Sequence, residues 1–210
     1  IEQVLVTENR RFIKNYALTF LRPLLGNGLV LNEGESWLRQ RRLIQPAFSR
    51  PRVESYAATM VECTQRMLDE WRDGETRDIV PAVMRLTMEI AGKTLLGIDL
   101  GDRFNEIARC LDATMHDFLA RFGAALPLPY WVPTLRNLRL RATVSRLDRI
   151  LQELIDERRA SGASGGDFLS LLLQAKDEED GRGISDRQIR DEVMTMFLAG
   201  HETTAVSLTW

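Results

Sequence analysis

The sequence is poor in the features that mark several large classes of protein. Its 210 residues include only two cysteines, Cys63 and Cys110, too few for a disulfide framework. Both lie in helix-like stretches, so we interpret them as small core residues in a reducing compartment. The 28 basic and 30 acidic residues give a net charge of -2, which offers no basic excess for nucleic acid. No apolar run reaches the roughly 18 residues of a membrane-spanning helix, and no signal-peptide pattern opens the chain.

The sequence does contain enough apolar residues, 44%, to form one buried core. Apolar residues recur mostly at i, i+3 and i+4, which is helical spacing. Only "RDIVP", at 77–81, has the β-branched composition of a short strand. We therefore predict a mainly α domain with very little β structure. Its helices are predicted over 51–72, 81–97, 102–123, 135–159, after residue 167 and after residue 185.

Short polar signals are predicted to set the ends of these helices. Ser49, Asp167 and Ser185 are each placed to cap the N-terminus of a helix, the last with Gln188 as a capping box. Gly97 is placed to cap a C-terminus. Segments rich in proline, glycine, serine or acidic residues are predicted to interrupt the helices at 125–133, 161–166 and 177–183.

The two ends of the chain suggest that it is part of something larger. Residue 1 is Ile rather than Met, and Trp210 stands inside an unfinished apolar pattern with no capping residue after it. We expect an internal fragment, so that residues 1–210 form a single partial domain of a longer protein.

The last helix contains an unusual polar stretch, "AGHETT", between two apolar runs. Glycine within a helix costs about 1 kcal/mol relative to alanine, yet Gly200 stands in its middle. Ala199 and Thr203 are four residues apart and share one face with Gly200 and Thr204. These small residues leave room for a flat ligand, beside which Thr203 offers a hydroxyl and Glu202 a carboxylate. Threonine at this spacing can also bond back to the helix carbonyl.

Two purely structural roles for Gly200 stay open at the level of sequence. The glycine also suits a C-cap or a close contact between two helices. A zinc-protease helix, H-E-x-x-H, does not fit the stretch, because residue 205 is Ala and the second ligand is missing.

Two stretches together resemble one known family. "AGHETT" (199–204) resembles the oxygen-activation motif of the cytochrome P450 family, (A/G)-G-x-(D/E)-T-(T/S). "GESWLRQRRLIQPAF" (34–48) resembles the C-helix of that family, whose W-x-x-x-R pattern is met by Trp37 and Arg41. The resemblance runs in order along nearly the whole chain, from about the B helix to the I helix. It is particularly close to soluble bacterial-type members.

The resemblance implies haem b as cofactor and assigns residues to its site. Trp37 and Arg41 share one helix face, and their donors suit a haem propionate; an ordinary basic helix face is the alternative. Ala199 and Gly200 would line the haem pocket, while Thr203 and Glu202 would deliver protons for oxygen activation. Substrate-pocket residues would be Val30, for which a plain core position is the alternative, and Leu198. Gly26 and Gly28 are turn glycines, since position 31 is Leu and no dinucleotide fingerprint results.

The resemblance also implies that the iron ligand lies elsewhere. The family's axial cysteine is expected beyond residue 210, and neither Cys63 nor Cys110 sits in a glycine-rich loop. The family's E-x-x-R pair is not found in a fitting context, because Glu153 and Glu157 precede the oxygen-activation motif. We therefore assign no metal ligand to this chain and expect the fragment alone to be inactive.

The parent protein is thus expected to be a haem-dependent monooxygenase. It would insert one oxygen atom from O2 into an apolar organic substrate, using NAD(P)H-derived electrons delivered by a ferredoxin or flavin reductase, separate or fused. A cytoplasmic location is expected from the bacterial-type resemblance. Two alternatives stay open: a family member that uses haem without oxygen activation, such as an isomerase or dehydratase, and an all-helical ligand-binding or interaction module without haem.

Overall fold

A computed structural model describes residues 1–8, 11–124, 128–162, 166–176, 181 and 183–210. The predicted mainly α architecture is confirmed. The described residues form no β-strand, and their one β-type pairing is an isolated bridge between Lys176 and Gly183. Of the predicted interruptions, positions 125–127, 163–165, 177–180 and 182 lie outside the described residues.

The α-helices of the described chain follow one another in the predicted order. Short 3-10 or π turns at Gln3–Thr7, Tyr16–Leu21, Gln45–Phe48, Gly92–Leu96 and Gly101–Arg103 join or extend them. The helices are α1 (Arg22–Leu25), α2 (Gly34–Ile44), α3 (Arg50–Asp69), α4 (Ile79–Ala91), α5 (Phe104–Phe122), α6 (Leu135–Ala160), α7 (Phe168–Gln174) and α8 (Asp186–Thr209).

Most of the predicted helix ends are confirmed by their hydrogen bonds. Asp167 accepts from the N–H of Ser170 at 2.9 Å, and Ser185 accepts from the N–H of Gln188 at 3.3 Å. Gly97 ends the turn after α4 in the left-handed region, at φ 68°. Ser49 precedes α3 as predicted, but its side chain makes no capping bond.

The predicted strand at 77–81 is wrong, because this stretch begins α4. Asp78 caps the helix by accepting the N–H of Val80 at 3.1 Å. Pro81 falls in the first turn, where its missing N–H is not needed. Ile79 and Val80 therefore occupy helical positions despite their β-branched side chains, and they remain exposed.

The core is built around α8, which packs along α4 and also contacts α6 and α7. Helical spacing predicts one apolar face on α6, and this face is confirmed, since each member is buried: Leu140, Val144, Leu147, Leu151 and Leu154. Fully buried apolar side chains from three helices meet here: Leu147, Leu154 and Ile155 of α6, Phe168, Leu169 and Leu172 of α7, and Ile189, Val193 and Phe197 of α8. No helix in the described ranges is both long and apolar enough to span a membrane.

Candidate active site

Helix α8 has one side in the core and one side open. It runs without interruption from Asp186 to Thr209 and therefore passes straight through the polar stretch. His201 and Ala205 are buried against the rest of the fold. Ala199, Gly200, Thr203, Thr204 and Ser207 are exposed. We call these five residues the open stripe of α8.

Gly200 has open space where a side chain would point. A Cβ built at this position would meet no other atom within 4 Å in the described part of the chain. The C-cap alternative is therefore wrong, because the helix continues past Gly200. Close packing of a second helix at Gly200 is not seen among the described residues. The glycine leaves a shallow surface on the open stripe against which a flat group has room to lie.

The hydroxyl of Thr203 bonds back to the helix, as the spacing predicts. Its Oγ1 donates to the carbonyl of Ala199 at 2.6 Å. Ser207 repeats the pattern one turn later, donating to the carbonyl of Thr203 at 2.9 Å. The bond from Thr203 to Ala199 fixes the direction of the Thr203 hydroxyl proton. It leaves the Thr203 oxygen free to accept a hydrogen bond at the open stripe.

Glu202 and Leu198 face the other way. With His201 they line a cavity of about 280 Å³ between α4, α5 and α8, whose walls include Met88, Leu111 and Asp112. Burial raises the pKa of Glu202, and the nearby Asp112 carboxylate raises it further. Glu202 therefore keeps its proton to a higher pH than an exposed glutamate does. It stands one residue before Thr203, between this cavity and the open stripe.

His201 is a buried imidazole with no assigned partner. Neither ring nitrogen has a hydrogen-bond partner among the described residues, and the ring stacks on Phe197 at 6.4 Å between centroids. Burial lowers the pKa of His201, which keeps the ring neutral.

Trp37 and Arg41 stand one turn apart on α2, and both retain free donors. Trp37 is partly exposed, with Lys14 Nζ 5.9 Å from its ring centroid, and Arg41 is exposed. Neither the indole N–H nor the Arg41 guanidinium has a hydrogen-bond partner within the described ranges. The opposite face of α2 is anchored by Gln40 and Ile44, which are buried.

The loop that precedes α2 in the chain packs against the first half of α8. We call residues 26–32 the 26–32 loop. Its backbone lies directly on α8: a Cβ on Gly28 would come within 2.1 Å of Thr195 Oγ1, and one on Gly26, at φ +56°, within 2.1 Å of Asp191 Oδ1. The turn role predicted for these two glycines is thus explained by close approach. Val30, in the same loop, is 38% exposed and is not a core residue.

The loop places the predicted residues relative to one another. Thr195, Ala199 and Thr203 follow at intervals of four and share one side of α8. The 26–32 loop covers that side at Thr195, and the open stripe continues it beyond the loop. Val30 belongs to the loop that covers α8 at Thr195, whereas Leu198 belongs to the cavity side. The functional roles of the eight predicted site residues stay predictions: Val30, Trp37, Arg41, Leu198, Ala199, Gly200, Glu202 and Thr203.

Three residues at this junction carry interactions that the sequence did not disclose. Lys14, Asp191 and Glu192 all bond to the backbone of the 26–32 loop. The only hint was the acidic pair 191–192 directly before a long apolar run. Nothing in the sequence connects that pair with a loop more than 150 positions away.

The whole of residues 1–210 matches the family model described as Cytochrome P450. The chain belongs to the cytochrome P450 family. It is 37% identical over 209 residues to cyclooctat-9-en-7-ol 5-monooxygenase of Streptomyces melanosporofaciens, a match covering 99% of this chain and 45% of that protein. A cytokinin hydroxylase of Arabidopsis thaliana is 33% identical over 201 residues, covering 89% of this chain and 38% of that protein.

The fold comparison agrees with the family assignment. The crystal structure of the cytochrome P450DA heme domain matches with a TM-score of 0.82 at 29% identity, covering 95% of this chain and 45% of that one. The predicted cytochrome P450 resemblance is thereby confirmed. This cytochrome P450 chain spans less than half the length of these relatives.

Cytochrome P450 proteins bind haem b, and the residues present fit that group. Gly200 leaves open space on the stripe for a flat ring, and Trp37 and Arg41 present unpaired donors suited to a carboxylate. Both cysteines are free and buried, Cys63 in α3 and Cys110 in α5. Burial is the main cause that raises the pKa of both thiols, and Cys63 Sγ lies 3.7 Å from Glu89 Oε1. A thiolate is disfavoured at both positions.

Proposed function

We propose that this chain forms part of a haem-dependent monooxygenase and supplies its oxygen-activation helix and one anchor for a haem propionate. The observation that carries the proposal is the open stripe of α8, where Gly200 has no neighbour among the residues that the structure describes and Thr203 stands beside it. The relatives named as a monooxygenase and a hydroxylase support oxygen insertion as the reaction.

The chain would hold the cofactor at two places. Ala199 and Gly200 would lie against the ring, since they are the small members of the stripe. Trp37 and Arg41 would each donate a hydrogen bond to a propionate. The propionate would neutralise the charge of the Arg41 guanidinium and give the Trp37 indole N–H a partner in place of water. When bound through a cysteine thiolate, haem supplies the activation of dioxygen.

Thr203 and Glu202 would manage the protons that this chemistry consumes. Glu202 takes up a proton readily because burial raises its pKa, and it borders a cavity on the side of α8 away from the stripe. Thr203 holds a hydroxyl of fixed orientation on the open stripe. A proton held on the Glu202 carboxyl would pass to the Thr203 oxygen, while Thr203 would release its own hydroxyl proton from the Ala199 carbonyl toward the reacting atoms.

The remaining functional assignments follow from the same proposal. An apolar substrate would contact Val30, whose side chain is exposed, whereas Leu198 lines the cavity on the other side of α8 and would contact only a ligand that enters that cavity. Electrons from NAD(P)H would arrive through a ferredoxin or flavin reductase, and the protein would act in the cytoplasm. The isolated 210-residue chain would neither retain haem nor turn over, because both of its thiols are unsuited to the iron.

The first test is the reduced, CO-bound difference spectrum of the intact protein. A thiolate-ligated haem is expected to give the family's characteristic peak. Its absence from a well-folded intact protein would favour the haem-free binding module instead.

The second test is Thr203→Ala in the intact protein, with an apolar substrate found by screening. Loss of the hydroxyl is expected to uncouple the reaction, so that more peroxide and less product form per NAD(P)H. Thr204→Ala removes the neighbouring hydroxyl and serves as the matched control. Unchanged product yield in Thr203→Ala would contradict the role of Thr203.

A further inference from the structure

We propose that Lys14, Asp191 and Glu192 form a clamp that fixes the 26–32 loop on α8 and thereby positions Val30 at the ligand pocket. The inference rests on the proposed function, because the pocket in question is the one above the haem. It makes these three side chains positioning residues for whatever ligand reaches Val30.

The first half of the clamp comes from α8. Asp191 Oδ2 accepts the N–H of Asn27 at 2.8 Å, and Glu192 Oε2 accepts the N–H of Leu29 at 3.0 Å. A hydrogen bond to an ionised carboxylate is stronger than one to a neutral acceptor, and Glu192 is ionised at pH values above its raised pKa of about 7. The side chain of Glu192 is fully buried, at 0% exposure, and its Oε1 has no partner within the described residues. Leu29 is therefore its one hydrogen-bonded contact in that part of the chain.

The second half comes from the N-terminal segment. Lys14 Nζ donates to the carbonyls of Leu29 at 2.9 Å and Asn32 at 2.5 Å. Leu29 is thus held at its N–H by a carboxylate and at its carbonyl by an ammonium. Glu33 and Glu192 favour the charged form of Lys14 against the burial that lowers its pKa.

The glycines make this arrangement possible. Gly26 and Gly28 lie so close to Asp191 and Thr195 that neither has space for a Cβ. The loop backbone is consequently pressed on α8 one to two turns before the open stripe, about 6–12 Å along the helix axis. Val30 follows Leu29 directly and is 38% exposed, so its position depends on the clamp rather than on packing of its own side chain.

If the clamp positions Val30, its loss is expected to weaken the binding of large ligands that reach Val30 but not of small ones. Imidazole binds haem iron without reaching beyond it, whereas 4-phenylimidazole carries an apolar ring into the pocket above. In the intact haem protein, Glu192→Leu and Lys14→Met are each expected to weaken 4-phenylimidazole about tenfold, equivalent to 1.4 kcal/mol. Imidazole binding is expected to stay within about twofold of wild type. Both are read from the spectral shift of the haem.

Two further variants separate positioning from general stability. Glu192→Gln keeps an acceptor oxygen for Leu29 and should restore most of the affinity for 4-phenylimidazole. Asp186→Asn weakens the ion pair between Arg159 of α6 and Asp186 of α8, which among the described residues contacts neither the loop nor the clamp, and it should leave both probes unchanged. Equal weakening of the two probes in Glu192→Leu, or no change in either, would overturn the proposal.

Hydrogen exchange tests the clamp independently of haem. Glu192→Leu is expected to speed exchange of the amides at 27–32 while leaving the amides of α6 protected as in wild type. Unchanged exchange at 27–32 would also overturn the proposal. Absence of any haem spectrum from the wild-type protein would count against the proposed function, and hydrogen exchange would still decide whether the clamp exists.

Discussion

The buried carboxyl of Glu192 predicts that the protein loses stability as the pH rises through the weakly acidic range. Burial raises its pKa from the ordinary 4.5 to about 7, with Asp191 adding to the rise and the Leu29 N–H and Lys14 opposing it. The folded protein therefore binds this proton more tightly than the unfolded chain does. The contribution of Glu192 to the free energy of unfolding therefore falls as the pH rises from about 4.5 to 7, because the folded protein loses its advantage in binding the proton. Above that range the contribution is fully lost.

The size of this loss follows from the difference between the two pKa values. A difference of ~2.5 pKa units, at 1.36 kcal/mol each, gives on the order of 3 kcal/mol. That is a large share of the roughly 5–15 kcal/mol by which a domain is usually stable. Glu192→Gln carries no titrating group and keeps an acceptor for Leu29, so it should not show this loss.

Urea unfolding followed by circular dichroism measures the effect. Wild type and Glu192→Gln would be compared at about pH 4.5, 5.5, 6.5 and 7.5, in the same haem state. Because every other titrating group is shared, the difference between the two proteins isolates Glu192. We expect that difference to shift by about 3 kcal/mol in favour of Glu192→Gln as the pH rises. A difference that stays constant with pH would refute the reasoning.

Two further variants, with one control, test the interpretation of α8 and of the core. Gly200→Ala has room for its methyl group, so it should stabilise the haem-free protein by up to about 1 kcal/mol and speed haem transfer to apomyoglobin; unchanged haem retention would argue that no ring lies there. Leu154→Ala removes a fully buried side chain and should cost about 2–5 kcal/mol in urea unfolding, whereas Leu138→Ala, at a position 46% exposed, should stay within about 0.5 kcal/mol; similar losses would contradict the assigned core.

Features fixed by neighbours in the chain were predictable from the sequence. The capping bond that Asp167 accepts from the N–H of Ser170, and the left-handed conformation of Gly97, both depend on local geometry alone. The stretch at 77–81 misled because two β-branched residues also fit the first turn of a helix. There the cap by Asp78 and the tolerance of that turn for Pro81 decided the outcome.

Features fixed by distant parts of the chain were not predictable in the same way. Gly26 and Gly28 were identified as turn glycines, but the helix that excludes a side chain at each lies more than 160 positions away. The partners of Glu192 were hidden for the same reason, since a buried carboxylate has no distinctive sequence pattern. Gly200 was the exception, because its spacing with Thr203 on one helix already indicated an open face.

The most direct test of the central claim is a crystal structure of the intact, haem-loaded protein. We expect Trp37 Nε1 and the Arg41 guanidinium within about 2.7–3.2 Å of a propionate oxygen. We also expect Ala199 and Gly200 to touch the ring at about 4 Å. A haem bound elsewhere, with Trp37 and Arg41 still facing solvent and the stripe of α8 uncovered, would contradict the account.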